Sequence, residues 1–281
     1  GLTGKGIGVA VLDTGIFLHR DFDSRVTGFA DMVNRRNFAY DDCGHGTHIC
    51  GIIGGSGRMS GGRYSGIAPG CDLVMVKVLD RRGNGYSSDV LAGISWILER
   101  KEKLGIRILN ISVGACSKRG MSENSALVKG VNRAWDAGLV VVVAAGNNGP
   151  RTMSITTPGI SRKVITVGCS DDDREVLVGG NRMVDYSGRG PTAACICKPD
   201  LVAPGCSVVS CAGRADKYTI KSGTSMSTPI VSGATALLLE RYPDMTNKDV
   251  KLKLRESCTD IGLPRNQQGW GLLDVEKLVS K

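Results

Sequence analysis

Five short runs of apolar, mostly β-branched residues mark the first 170 residues of the chain. They cover residues 7–12, 72–79, 106–111, 139–145 and 164–167. None of the five alternates cleanly between apolar and polar positions, which is typical of strands that are buried on both faces of a parallel sheet. The pattern therefore predicts five buried, parallel strands.

Helical periodicity, with apolar residues three and four positions apart, predicts helices over residues 87–103, 122–137, 224–241 and 247–257. We expect residues 87–89, Ser-Ser-Asp, to cap the first helix, and Gly138 ends the second. Pro229 is expected within the first turn of the third helix, where proline is tolerated. Thr246 and Asp249 stand at capping-box spacing before the fourth.

The alternation of strands and helices predicts an α/β fold with a doubly wound, mostly parallel β-sheet flanked by helices on both faces. A chain of 281 residues is long enough for one large domain or for two small ones. Since no repeat or linker-like segment interrupts the pattern, we predict a single domain over residues 1–281.

The chain carries a net charge of +9, which taken alone suggests an anionic partner. Its basic residues are scattered, however, and no aromatic residues interleave with them to stack on bases. We therefore expect solvated surface charge and no nucleic-acid partner. No apolar run approaches the roughly 20 residues of a spanning helix, so we expect no membrane span.

Ten cysteines leave two interpretations open. An even number is compatible with the disulfides of a secreted protein. Cys50, Cys71 and Cys169 stand in apolar sequence surroundings, where a free thiol behaves as a small hydrophobe. We favour mostly reduced, buried thiols. The chain opens on Gly1 without a signal peptide, which predicts a processed or trimmed form.

The stretch CGHGTHIC, residues 43–50, gathers two of the three histidines between two cysteines. These are metal-ligand types, but tetrahedral zinc usually takes two ligand pairs that are far apart in the chain. Here all four crowd one loop and one helix start. We therefore favour His45 as a catalytic base and His48, one helical turn on, as a packed, hydrogen-bonded residue.

Three residues supply a carboxylate, an imidazole and a hydroxyl, the set that activates a serine nucleophile. They are Asp13, His45 and Ser225, and each stands beside glycine or turn residues. Ser225 falls at a helix start, where backbone N–H groups favour a developing oxyanion. Asn147, on a glycine-flanked loop, offers a second oxyanion donor.

Seven segments share one resemblance: VLDTGI, GHGTH, ISVG, AAGNNGP, YSGRGP, KPDLVAPG and SGTSMSTP. In this order they resemble the signatures of the subtilisin-like serine peptidases (subtilases, peptidase family S8), across almost the full chain. The resemblance implies Asp13 as the orienting carboxylate, His45 as general base and acid, and Ser225 as nucleophile. It implies Asn147 and the Ser225 N–H as oxyanion donors.

The resemblance also implies where a substrate peptide binds, as an added strand between two backbone segments. The substrate-binding residues that it implies are Gly83, Asn84, Gly85, Ser112, Val113, Gly114, Ala144, Ala145, Gly146 and Thr156. The last seven would wall the S1 pocket. Since many family members have glycine where Thr156 stands, we expect a shallower pocket here.

The family's high-affinity calcium site is not expected, because residues 54–65 hold no carboxylate or asparagine and Asp21 alone matches a ligand position. We predict no cofactor and no metal. Asp41 and Asp42 are interpreted as solvated turn residues, and so are residues 171–173, although a weak cation site is left open at the latter.

We predict a serine endopeptidase of broad specificity that works through an acyl-enzyme intermediate. The alternatives are a dedicated processing protease with few protein substrates and a catalytically silent subtilisin-like binding protein. We expect a peptide or protein substrate, a monomer, and an inhibitory propeptide or protein inhibitor from outside this chain. The family default favours a secreted or cell-surface protein, while the ten cysteines keep a cytoplasmic one as the alternative.

Overall fold

The computed structural model describes residues 1–114 and 123–280. The chain divides into two compact units. Unit 1 consists of Gly1–Asn110, Val209–Ile220 and Ser232–Asp244, and unit 2 of Ile111–Val208, Lys221–Val231 and Met245–Lys281. The single domain over residues 1–281 stays a prediction.

The strands are β1 Gly8–Asp13, β2 Val26–Asp31, β3 Asp72–Lys77, β4 Ile106–Ile111, β5 Val140–Ala144, β6 Ile165–Cys169, β7 Val176–Val178, β8 Asn181–Met183, β9 Leu201–Ala203, β10 Val208–Cys211, β11 Tyr218–Lys221, β12 Cys258–Thr259 and β13 Leu272–Leu273. The α-helices are α1 His45–Gly54, α2 Ser87–Arg100, α3 Ala126–Asp136, α4 Thr224–Arg241, α5 Asn247–Glu256, α6 Arg265–Gln268 and α7 Val275–Val279.

Unit 1 contains a sheet with the strand order β4-β1-β3-β2, in which β3 pairs in parallel with both β1 and β2. Two helices cover the opposite faces of its central strands. Gly93 of α2 packs against Leu12 and Val76, which are partners in register, whereas Gly46 of α1 packs against Met75. Successive strand residues point to opposite faces, so α1 and α2 lie on opposite sides, and β1 is buried throughout.

Unit 2 contains strands in the order β12-β13-β9-β6-β5. The pairs β5–β6, β6–β9 and β9–β13 are parallel, and only the short edge pair β12–β13 among them is antiparallel. β5 and β6 are buried at every residue. The predicted α/β fold with a mostly parallel sheet flanked by helices is thereby confirmed.

α2 and α4 begin at the predicted residues, Ser87 and Thr224, but one detail of each prediction is wrong. α2 begins at Ser87, but Tyr86 is its N-cap and no side-chain capping bond forms. Pro229 lies in the second turn of α4, not the first. The capping box before α5 is present as predicted, with Thr246 and Asp249 each bonding the other's backbone. α3 begins at Ala126 after a Ser125 cap, and the predicted start at residue 122 lies outside the described residues.

The three cysteines expected in apolar surroundings, Cys50, Cys71 and Cys169, are buried. Burial raises the pKa of Cys71 to about 12 and that of Cys50 well above its usual value, because a thiolate there would lose its hydration. These thiols therefore stay protonated at neutral pH. Within residues 1–114 and 123–280, no helix combines the length and apolar character needed to cross a bilayer.

Candidate active site

Within unit 1, the structure brings Asp13 and His45 together. Asp13 is the fully buried last residue of β1, and His45 is the first residue of α1. The His45 Nδ1 atom lies 2.8 Å from Asp13 Oδ1 and 2.9 Å from Oδ2. Because a carboxylate only accepts, Nδ1 carries the proton and Nε2 presents the lone pair. The backbone N–H of Thr14 also donates to Asp13 Oδ1, at 2.7 Å, which fixes the rotation of the carboxylate.

Asp41 organises the start of α1, and sequence reasoning missed it. Its carboxylate accepts from the backbone N–H groups of Gly44 at 2.7 Å and Thr47 at 2.9 Å. It also accepts from the hydroxyls of Thr14 at 2.9 Å and Thr47 at 2.6 Å. A carboxylate at a helix N-terminus accepts hydrogen bonds from backbone N–H groups that have no partner within the helix, and the helix dipole stabilises its negative charge. The interpretation of Asp41 as a solvated turn residue was wrong. The sequence signal that could have indicated its role is an acidic residue just before a helix start.

Asp42 is likewise engaged, because it pairs with the buried Lys77. The Lys77 Nζ atom donates to Asp42 Oδ1 at 2.7 Å, to the Thr14 carbonyl at 2.6 Å and to the Leu79 carbonyl at 2.7 Å. These bonds connect Thr14, which directly follows Asp13 at the end of β1, to Leu79, in the segment after β3. A lysine within an apolar strand gave no sequence signal for this role.

His48 is fully buried, and its Nε2 atom lies 3.2 Å from the carbonyl oxygen of Thr219. This agrees with a packed, hydrogen-bonded residue. The neighbouring Cys43 is exposed while Cys50 is buried. The ligand clusters found among the described residues do not include the CGHGTHIC stretch, so the geometry does not favour the zinc interpretation.

Within unit 2, Ser225 is the second residue of α4. Its hydroxyl donates to the Ser112 carbonyl at 2.7 Å, and the Ser112 hydroxyl donates to the Ser225 carbonyl at 3.2 Å. The second bond explains how the helix accommodates Pro229. Proline has no N–H to give the carbonyl four residues earlier, and that carbonyl belongs to Ser225. The Ser112 hydroxyl replaces the missing donor.

Asn147 is held by its amide oxygen. The backbone N–H and the hydroxyl of Thr224 both donate to Asn147 Oδ1 at 3.0 Å. Since a backbone N–H can only donate, the oxygen must face Thr224 and the Nδ2 group is left to donate elsewhere. The Thr224 hydroxyl in turn accepts from the Gly146 N–H at 3.1 Å. The amide therefore presents a donor in a fixed orientation beside the start of α4.

Three of the predicted S1 residues, Gly114, Ala145 and Gly146, lie against Thr156, which is buried. Its N–H donates to the Ala145 carbonyl at 2.9 Å. A Cβ atom added to Gly114 would lie 2.2 Å from Thr156 Oγ1, and one added to Gly146 would lie 2.4 Å from Thr156 Cγ2. The threonine side chain thus touches both segments that were expected to wall the pocket.

The third predicted substrate segment, Gly83, Asn84 and Gly85, belongs to unit 1. It forms a loop whose shape is held by Asp80, because Asp80 Oδ1 accepts from the N–H groups of Arg82 at 2.8 Å and Asn84 at 2.9 Å. A cavity of about 550 Å³ is lined by Asn84 and Gly85 among other residues. The segment is therefore an ordered surface loop beside a concavity.

The acidic run at residues 171–173 is only partly solvated. Asp171 Oδ1 accepts from the N–H groups of Gly205 at 2.7 Å and Cys206 at 3.1 Å. Asp172 is buried, which raises its carboxyl pKa, and it accepts from the Ser187 N–H at 2.7 Å. Asp173 alone is exposed. The interpretation as solvated turn residues was therefore wrong for the first two.

The sequence family agrees with this arrangement of side chains. The profile of the subtilase family matches residues 4–271, and the chain belongs to that family. The chain is 42% identical over 276 residues to serine protease AprX of Bacillus subtilis, covering 92% of this chain and 62% of that protein. It is 34% identical over 278 residues to subtilisin DY of Bacillus licheniformis, covering 98% and 92%.

The fold agrees as well. Sphericase has a similar structure, with a TM-score of 0.81 and 31% identity over 98% of this chain and 93% of its own. A cold-adapted subtilisin-like serine proteinase gives a TM-score of 0.77 with 29% identity, covering 98% and 89%. The chain spans less than two thirds of AprX and 65% of a thermostable alkaline protease of Halalkalibacterium halodurans.

Proposed function

We propose that the protein is a serine endopeptidase that cleaves peptide bonds through an acyl-enzyme intermediate. The observation that carries the proposal is the orientation of His45, whose Nδ1 is bonded to a buried carboxylate. That bond leaves Nε2 as the base. In the proposed reaction, Nε2 takes the Ser225 proton as the hydroxyl oxygen attacks the scissile carbonyl, and later delivers it to the leaving amine.

The proposed oxyanion site consists of Asn147 Nδ2 and the Ser225 N–H. The amide is oriented before substrate arrives, because Thr224 occupies its oxygen. Donors that need no reorganisation stabilise the developing charge most effectively. The substrate peptide is proposed to lie as an added strand along residues 83–85 and 112–114, with its P1 side chain beside Thr156.

A dedicated processing protease uses the same chemistry and differs only in its substrates. The catalytically silent alternative is disfavoured because carboxylate, imidazole, hydroxyl and oxyanion amide are all present. Secretion or cell-surface display, with cytoplasmic residence as the alternative, stays a prediction, and so do a monomeric state and an inhibitor from outside this chain.

A fluorophosphonate probe tests the proposal, because such probes form a covalent bond only with an activated serine. We expect one equivalent of label on the peptide that contains Ser225, and a proportional loss of casein hydrolysis. Unlabelled Ser225 in a folded protein would establish the silent fold, and hydrolysis that survives full labelling would place the nucleophile elsewhere.

The Asn147→Asp variant tests the oxyanion donor. Aspartate keeps an oxygen for Thr224 but replaces the Nδ2 donor with negative charge, so we expect kcat to fall by at least about 10²–10³-fold with little change in KM. That magnitude was measured on subtilisin itself, a member of this family. The measurement is steady-state hydrolysis of a chromogenic peptide. Asn148→Asp, which adds the same charge at the exposed neighbouring residue, is the control, and equal losses in both variants would contradict the assignment.

Thr156→Gly tests the depth of the S1 pocket. Removing the side chain that contacts Gly114 and Gly146 opens space between them. We expect the ratio of kcat/KM for P1 Phe over P1 Ala substrates to rise by about 10–100-fold, since each buried methylene changes discrimination by roughly 1–3 kcal/mol. Thr156→Ser removes only the methyl group and should give an intermediate ratio. A ratio that is the same in the parent and both variants would show that Thr156 does not line the S1 pocket.

A further inference from the structure

Two cysteines and a carboxylate meet in unit 2 behind the loop that leads to Ser225. Cys169 is the last residue of β6, Asp171 follows two residues later, and Cys206 lies on the loop after β9. The Cys169 Sγ, Cys206 Sγ and a carboxylate oxygen of Asp171 all lie within 4.8 Å of one another. The Tyr186 hydroxyl contacts both sulfurs, at 3.2 Å from Cys169 Sγ and 3.1 Å from Cys206 Sγ.

This arrangement has the composition and size of a site for a thiophilic cation. Zinc binds thiolate sulfur at about 2.3 Å and carboxylate oxygen at about 2.0–2.2 Å, so the ligand atoms of a tetrahedral site lie roughly 3.3–3.8 Å apart. The Cys169 Sγ to Asp171 Oδ1 distance is 3.1 Å, slightly below this range, and would lengthen when two bonds to the ion replace the thiol hydrogen bond. Two soft sulfur ligands select zinc or cadmium over calcium or magnesium, which prefer oxygen.

The cluster is held in place before any ion arrives. Cys169 and Tyr186 are buried, and the N–H groups of Gly205 and Cys206 both donate to Asp171 Oδ1. Cys206 is half-buried, so an ion can reach the cluster from solvent. A water molecule would then fill the fourth coordination position of the ion. Tyr186 is suited to donate to a bound thiolate, as outer hydrogen bonds commonly do at metal centres.

The same loop is bonded to the turn that carries Ser225. The Gly223 N–H donates to the Gly205 carbonyl at 2.9 Å, and the Ser207 N–H donates to the Ser222 hydroxyl at 2.9 Å. A Cβ atom at Gly205 would lie 2.8 Å from Cys169 Sγ, so the sulfur packs closely against this backbone. An ion that changes the position of Cys206 would therefore act, through these two bonds, on the turn that carries Ser225.

We propose that Cys169, Asp171 and Cys206 bind one divalent cation of the zinc class, and that the bound cation lowers peptidase activity. Both thiols lose their protons to solvent as the two metal–sulfur bonds form. The proposed cation binding rests on the geometry of the cluster alone, whereas the proposed effect on activity rests on the proposed peptidase function. A separate cluster in unit 1, His19, Asp21 and Cys211, is a competing site that the experiment must distinguish.

Binding is measured by titrating Cd²⁺ into the reduced Ser225→Ala protein, which cannot digest itself, and recording the cadmium–thiolate absorption band together with calorimetric stoichiometry. We expect one equivalent with two thiolates. Cys206→Ser should weaken binding by more than about 100-fold, because losing even a residue that only hydrogen-bonds to a metal ligand costs about 10–100-fold. Cys197→Ser, an exposed thiol of the same unit, and Cys211→Ser should leave the affinity unchanged.

Absence of the band, or a band that persists in Cys206→Ser, would overturn the site. Loss of binding in Cys211→Ser would assign it to the unit 1 cluster and overturn it equally. In the Ser225-containing protein, kcat should fall along a Zn²⁺ titration and recover with chelator, while Cys206→Ser stays insensitive. Binding without any change in kcat would overturn the proposed effect on activity. Absence of peptidase activity in the Ser225-containing protein would contradict the proposed function, while the binding result would still hold.

Discussion

The Ser225→Ala variant is expected to lose about 10⁶-fold in kcat for peptide hydrolysis, the magnitude known for the nucleophile of subtilisin. Alanine removes the attacking oxygen, so no acyl-enzyme forms and His45 has no proton to accept. The Ser225 carbonyl remains bonded by the Ser112 hydroxyl, so the start of α4 should stay in place. The measurement is hydrolysis of a chromogenic peptide at enzyme concentrations high enough to record the residual rate.

The matched control is Ser222→Ala, which removes a hydroxyl from the same turn together with its exposed bond from the Ser207 N–H, but keeps the bond between Gly223 and Gly205 and the proposed nucleophile. We expect its kcat to remain within about 10-fold of the parent and its thermal midpoint to stay close. If Ser225→Ala kept more than about 1% of the parent kcat, or if Ser222→Ala lost as much, Ser225 would not be the nucleophile. A KM that stays constant in Ser225→Ala would show that substrate still binds.

The buried strands could be predicted because both of their faces meet other elements. β4 begins and ends where the apolar run does, and β1 and β5 each differ from the prediction by one residue at each end. β2 was missed for the opposite reason. It is an edge strand with a half-exposed face, and its sequence, VTGFAD, contains a glycine and no continuous apolar run.

The residues that bear the chemistry could be named from the sequence, but their supports could not. Asp13, His45 and Ser225 stand in short segments whose order is informative. By contrast, Lys77 looks like a strand residue, and Asp41 looks like a turn residue. Their roles depend on which chain segments pack beside them, and local periodicity does not encode that information. The Ser112 hydroxyl that compensates for Pro229 is the same kind of tertiary feature.

The Asp13→Asn variant should lose about 10⁴-fold in kcat, the magnitude that this substitution has in other serine triads. The Thr14 N–H, 2.7 Å from Oδ1, would retain the amide oxygen and direct the new NH₂ group towards His45. That donor would lie near the present Oδ2 position, 2.9 Å from Nδ1. His45 would then accept at Nδ1 and carry its proton on Nε2, so it could not take the Ser225 proton.

The reversed tautomer distinguishes this outcome from simple loss of structure. Because hydroxide can then serve as the base, the residual rate of Asp13→Asn should rise steadily with pH, whereas Ser225→Ala should show no such rise. Asp72→Asn removes the same charge from the start of β3 and should retain parental kcat. Thermal midpoints of both variants report folding. A kcat within about 10-fold of the parent in Asp13→Asn would mean that the bond between Asp13 and His45 does not orient the catalytic base.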